Sequence, residues 1–147
     1  ERCRAGSWRI PAETEVPVRS DRFGIRGLVD KIYDEEPSFA ITRPTEAPAF
    51  GVPGSDRIRV AAYALCLRET LGIPSAQGRV EYIPSGEARV CTPQPRDRRA
   101  VIRAADAVRR IREGQIPRKP PSAPCRGCPH DNRCNTGGKR LSDLFRV

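Results

Sequence analysis

The chain contains no methionine, one histidine, one tryptophan and only three lysines in 147 residues. Methionine is missing even at position 1, which predicts a processed or partial chain with something lost from its N-terminal side. No apolar run approaches the roughly 20 residues that a membrane-spanning helix needs, and no signal-peptide pattern opens the sequence. Neither a membrane partner nor secretion is therefore expected. There is no phosphate-binding glycine loop, no GxSxG elbow and no internal repeat. P-loop nucleotide chemistry, α/β-hydrolase chemistry and solenoid architectures are set aside on that ground.

Positive charge is plentiful, and nearly all of it is arginine. The net charge is +9, with 24 arginines against Lys31, Lys119 and Lys139. Guanidinium forks match phosphate oxygens in a bidentate way, so phosphate-bearing partners are favoured. A bias toward arginine codons contributes as well. Two of the six cysteines, Cys66 and Cys91, lie inside apolar patterns and read as buried thiols. A reducing, cytoplasmic setting fits that usage.

In chain order, Val16 and Val18 alternate with polar neighbours and predict a short strand. Trp8 is placed to anchor the N-terminal arm. Residues 23–33 read as a strand through Ile25, Leu28, Val29, Ile32 and Tyr33. Asp30 interrupts that apolar run. A carboxylate there needs a partner or a cation, or else an exposed strand edge. A second short strand follows at residues 39–42, then a loop rich in proline and glycine over residues 44–54. Residues 55–71 predict a helix capped by Ser55 or Asp56 and closed by Gly72 and Pro74. Its apolar residues wrap most of the circumference, which predicts a helix buried against a sheet. Residues 78–92 predict a hairpin turning at Pro84-Ser85-Gly86-Glu87. Residues 95–113 predict a second helix. Val101, Ala104, Ala105, Val108 and Ile111 form its apolar stripe, and seven arginines its remainder. The polyproline-type stretch at residues 116–124 is a stiff linker. Leu141, Leu144 and Phe145 suggest a short apolar clasp.

The linker leads into Cys125-Arg126-Gly127-Cys128-Pro129-His130-Asp131-Asn132-Arg133-Cys134. A CxxC turn lets two thiolates converge on one metal, and Cys134 supplies a third. Zinc on Cys125, Cys128, His130 and Cys134 is one reading. An iron–sulfur cluster, with a fourth cysteine such as Cys3, is the other. The expected division is a core over residues 1–115 and a linker with a cysteine module over residues 116–147.

These residues resemble a known family. Gly27-Leu28-Val29-Asp30, Ser55-Asp56-Arg57-Ile58-Arg59-Val60-Ala61-Ala62-Tyr63, Gly78-Arg79-Val80-Glu81-Tyr82-Ile83-Pro84 and the Cys125-x2-Cys128-x5-Cys134 triad look like the CRISPR-associated Cas-four iron–sulfur exonucleases. Those enzymes are relatives of the RecB-type nucleases in the PD-(D/E)xK superfamily. The resemblance covers roughly residues 16–136.

The resemblance implies an α/β, restriction-endonuclease-like mixed sheet flanked by helices, with a C-terminal cysteine-rich module. It implies a [4Fe-4S] cluster on Cys125, Cys128, Cys134 and Cys3, single-stranded DNA as partner, and Mg²⁺ or Mn²⁺ at an active site. Protein partners in CRISPR adaptation or another multi-subunit complex are implied too. Asp30 falls on the family's metal-binding aspartate and Tyr63 on its helical tyrosine.

Other positions depart from the pattern. Ile41-Thr42-Arg43-Pro44 stands where the family has E-x-K, and Arg59 replaces its glutamine. Glu46 is the nearest replacement carboxylate, and Arg43 or Arg59 the nearest replacement cation. A lone Asp30 holds a hard divalent cation poorly. Three readings follow: a metal-dependent exonuclease rebuilt around Asp30, an inactive relative that binds DNA or scaffolds a complex, and a small zinc module that binds nucleic acid.

Overall fold

The computed structural model describes residues 9–74, 77–116 and 128–129, together with the backbone of residues 2–3. The chain divides into two compact units, Glu1–Asp106 and Ala107–Val147.

The first unit is built on a mixed six-stranded sheet. Its strands are β1 (Arg2–Cys3), β2 (Glu13–Ser20), β3 (Ile25–Ile32), β4 (Phe39–Arg43), β5 (Gly78–Tyr82) and β6 (Glu87–Cys91). The spatial order is β1-β6-β5-β4-β3-β2. Only β4 and β5 run parallel; every other neighbouring pair is antiparallel. A parallel step needs a crossover, and helix α1 (Gly54–Thr70) supplies it.

Alternation in β2 turns Val16, Val18 and Ser20 inward and leaves Glu13, Glu15, Pro17 and Arg19 exposed. Pro17 is tolerated because β2 is an edge strand. Gly24 and Gly86 take left-handed φ values of 64° and 60° and close the β2–β3 and β5–β6 hairpins. The core gathers Val29, Ile32, Phe39, Ile41 and Val80 from the sheet with Val60, Ala64 and Leu67 from α1.

Helix α1 differs from expectation in two respects. Only one side of it is buried, and Ile58 is 38% exposed. Its N-cap is Pro53, with no side-chain capping bond. Asp56 instead turns inward, 3.1 Å from Arg43 Nε, and accepts from the Tyr82 hydroxyl at 3.3 Å. A buried salt bridge has outcompeted the cap. The far end is pinned to β2: Thr70 Oγ1 donates to the Arg19 carbonyl at 2.8 Å and accepts the Arg19 N–H at 2.9 Å.

Helix α2 (Pro95–Arg112) begins with Pro95 in its first helical position. Asp97 reaches back to accept the Gln94 N–H at 2.9 Å, half of a capping box. Of the apolar stripe, Val101 is buried, while Ala104, Val108 and Ile111 are exposed. No helix among the described residues is long and apolar enough to cross a membrane. Trp8, most of the linker, the Leu141–Phe145 clasp, His130, Cys125 and Cys134 lie outside the described residues.

Candidate functional site

The strands part at Asp30. The β2–β3 ladder pairs Thr14 with Lys31 and Val16 with Val29, skipping the step between Glu15 and Asp30. Glu15 there takes a left-handed φ of 54°, uncommon for a residue with a side chain. On the other side β3 pairs with β4 only at Lys31–Ala40 and Ile32–Phe39. Past that point the Asp30 carboxylate enters the gap. Its Oδ2 accepts the Thr42 N–H at 2.6 Å and the Thr42 hydroxyl at 3.1 Å. Asp30 is therefore inside the sheet and not at its exposed edge.

Tyr63 comes to this region from α1. Its ring lies over Gly27, where a Cβ would stand 2.7 Å from Cε1. Burial raises the Tyr63 hydroxyl above its ordinary pKa, and the Asp30 charge adds to that rise while Arg59 opposes it. Asp30, Tyr63 and Arg59 thus share one electrostatic neighbourhood. Arg43 is turned away, to Asp56. Glu46 is exposed on the loop after β4. Among the described residues, no group of three or more His, Cys, Asp or Glu is placed to hold a metal ion.

A second polar cluster was hidden in the sequence. The register places Lys31, Ala40 and Arg79 side by side, and Thr42 beside Glu81, on one sheet face. Glu81 is 0% exposed. It meets Lys31 Nζ at 2.6 Å, the Tyr33 hydroxyl at 2.8 Å and Arg79 Nε at 3.2 Å. Burial, then the bond to Glu81, raises the Tyr33 hydroxyl pKa well beyond the ordinary tyrosine range. The Arg79-Val80-Glu81 alternation was the available signal, but it resembles that of a solvated hairpin face.

Cys66 and Cys91 are buried free thiols, as their apolar surroundings predict. Burial pushes each up to about 11. Cys128 is a partly buried free thiol, and the backbone of Cys3 pairs with Ala88 at the sheet edge. All seven arginines of α2 (Arg96, Arg98, Arg99, Arg103, Arg109, Arg110 and Arg112) are exposed. No protein-family model and no curated protein matches the chain.

Proposed function

We propose that the protein binds single-stranded DNA on a Cas-four-like, restriction-endonuclease-like fold and does not cut it at Asp30. The order of strands and the helical crossover from β4 to β5 support the fold part of this reading.

The exposed arginine ridge of α2 carries the binding part. Arg96, Arg99 and Arg103 are spaced three and four apart, so they share one side of the helix over about 10 Å. All three are exposed, and none forms an ion pair among the described residues. Unpaired guanidiniums in a row suit a phosphate backbone, because each neutralised phosphate releases counterions.

The loss of cutting follows from Asp30. One of its oxygens is held by two donors of Thr42, and β4 brings no carboxylate beside it. Divalent-metal hydrolysis of phosphates needs a cation held firmly enough to polarise the phosphate and activate water. Cys125, Cys128 and Cys134 with Cys3 are the proposed ligands of a [4Fe-4S] cluster that staples the C-terminal module, with zinc as the rival metal. The partly buried Cys128 thiol suits a ligand in that role.

The test uses anaerobically purified full chain and end-labelled single-stranded DNA with Mn²⁺, beside Asp30→Ala. Both proteins should bind the strand and leave it intact. Cleavage by the parent that is lost in Asp30→Ala would overturn the proposal and make Glu46 and Arg43 the next residues to change. An iron-dependent brown absorption separates the cluster from zinc.

A further inference from the structure

The loop between β4 and α1 presents an aromatic ring in an unusual way. Phe50 is 86% exposed at its tip. The loop beneath it is tied down on both sides. Arg89, 6% exposed on β6, donates from Nη1 to the Gly51 carbonyl and from Nη2 to the Pro48 carbonyl. Arg57, in the first turns of α1, donates to the Val52 carbonyl at 3.0 Å. Gly51 takes a φ of 61°, which lets the chain turn sharply after the ring. Three guanidinium–carbonyl bonds thus hold a loop whose aromatic side chain stays in water. Rigid presentation lowers the ordering cost of binding.

A cavity of about 430 Å³ opens beside the ring, lined by Phe50, Arg57, Arg89, Val90, Cys91 and Thr92 among others. That size suits a small planar ligand. Its charge is nearly balanced: Arg57 Nε lies 3.5 Å from Asp97, and Arg89 Nη2 lies 3.0 Å from Glu87. A free phosphate gains little from paired guanidiniums. A neutral heterocycle gains a ring to stack on, an apolar wall at Cys91 on the same sheet face as Arg89, and polar edge partners in Arg57 and the exposed Thr92.

We infer that this cavity takes one base of a bound single strand, stacked on Phe50 and held edge-on by Arg57 and Thr92. The inference rests on the single-stranded DNA reading above and adds a base site to it. Aromatic stacking tolerates every base, so the site contributes affinity without reading sequence.

Fluorescence anisotropy with a labelled oligothymidylate tests it, using full chain, Phe50→Ala and Phe50→Tyr. The Ala variant should bind about tenfold more weakly, and the Tyr variant should match the parent. The slope of affinity against salt should stay the same, because no phosphate contact is lost. A strand made of abasic units should bind the parent about as weakly as oligothymidylate binds Phe50→Ala, and should bind Phe50→Ala little differently from oligothymidylate. If the parent binds and Phe50→Ala binds equally well, the base site is wrong while the binding reading stands. If the parent does not bind, both fail. The ring is exposed, so its removal spares the fold, and a urea transition matching the parent verifies this.

Discussion

Asp30 stands in for a strand at Thr42, its Oδ2 accepting the Thr42 N–H at 2.6 Å where β3 and β4 separate. The carboxylate is thereby part of the sheet. Asp30→Ala leaves a partly buried N–H without its acceptor and should cost about 1–3 kcal/mol. Thr42→Val keeps the backbone bond, loses only the hydroxyl, and should cost about 1 kcal/mol. Urea midpoints of the two variants check the order. An unchanged midpoint in Asp30→Ala would mean that the bond contributes nothing to the fold.

The buried Glu81 cluster should be the most sensitive polar feature of the sheet. Glu81 compensates Lys31 and Arg79, and Arg79 is almost fully buried. Removing one partner of a buried ion pair strands the other charge, so Glu81→Ala should lose about 3–5 kcal/mol. Lys31→Met should lose less, since Arg79 still compensates Glu81. The comparison is read from chemical unfolding of the two variants, and equal losses would contradict it.

The buried thiols give a pH dependence with a definite sign. Cys66 and Cys91 are each raised from 9.0 to about 11, chiefly by burial. In the unfolded chain a thiol ionises first, so the folded form binds more protons between these values. Stability from this source is complete below pH 9 and falls as pH rises toward 11. Cys66→Ala should flatten that fall while lowering stability at neutral pH through the lost packing. Urea unfolding at pH 8, 9, 10 and 11 gives both quantities. A parallel pH profile for variant and parent would contradict the assignment.

The way elements were readable in the sequence explains where the site was not. Alternation marked Val16 and Val18 as inward, and Pro84-Ser85-Gly86 marked the hairpin, because both signals are local. Asp56 looked like a cap because capping is also local; its pairing with Arg43 depends on the α1 crossover, which no short window contains. Asp30 was conspicuous as a carboxylate in an apolar run, but Thr42 as its partner follows only from strand register. Arg79 and Glu81 were placed on one face by period two, yet period two does not tell whether that face meets water.

The α2 ridge makes a prediction about salt. If Arg96, Arg99 and Arg103 each neutralise one phosphate of a single strand, the slope of log affinity against log salt should fall by about 0.7 for each one removed. Replacing all three with glutamine should therefore cut the slope by about 2. The fold should be unaffected, because all three side chains are exposed. Anisotropy titrations between 50 and 300 mM salt, roughly the range where such slopes are read, decide the matter. A weakened affinity with an unchanged slope would place the phosphates elsewhere.

Two glycines separate stability from site geometry. At Gly78 a Cβ would stand 2.6 Å from Phe39 Cζ and 2.7 Å from Val60 Cγ1, both on fully buried side chains. Neither can move aside, so Gly78→Ala should overpack the core and cost about 1–3 kcal/mol. At Gly27 the three atoms nearest such a Cβ all belong to the Tyr63 side chain, the first at 2.7 Å. Tyr63 is partly exposed and can swing away, so Gly27→Ala should cost less stability while displacing the ring from Asp30. The hydroxyl of Tyr63 would then shed part of the rise caused by burial and by the Asp30 charge. Absorbance titration of tyrosinate, with Tyr63→Phe as the subtraction, measures that fall. A Tyr63 titration unchanged by Gly27→Ala would show that the ring stays where it is and that β3 moves instead.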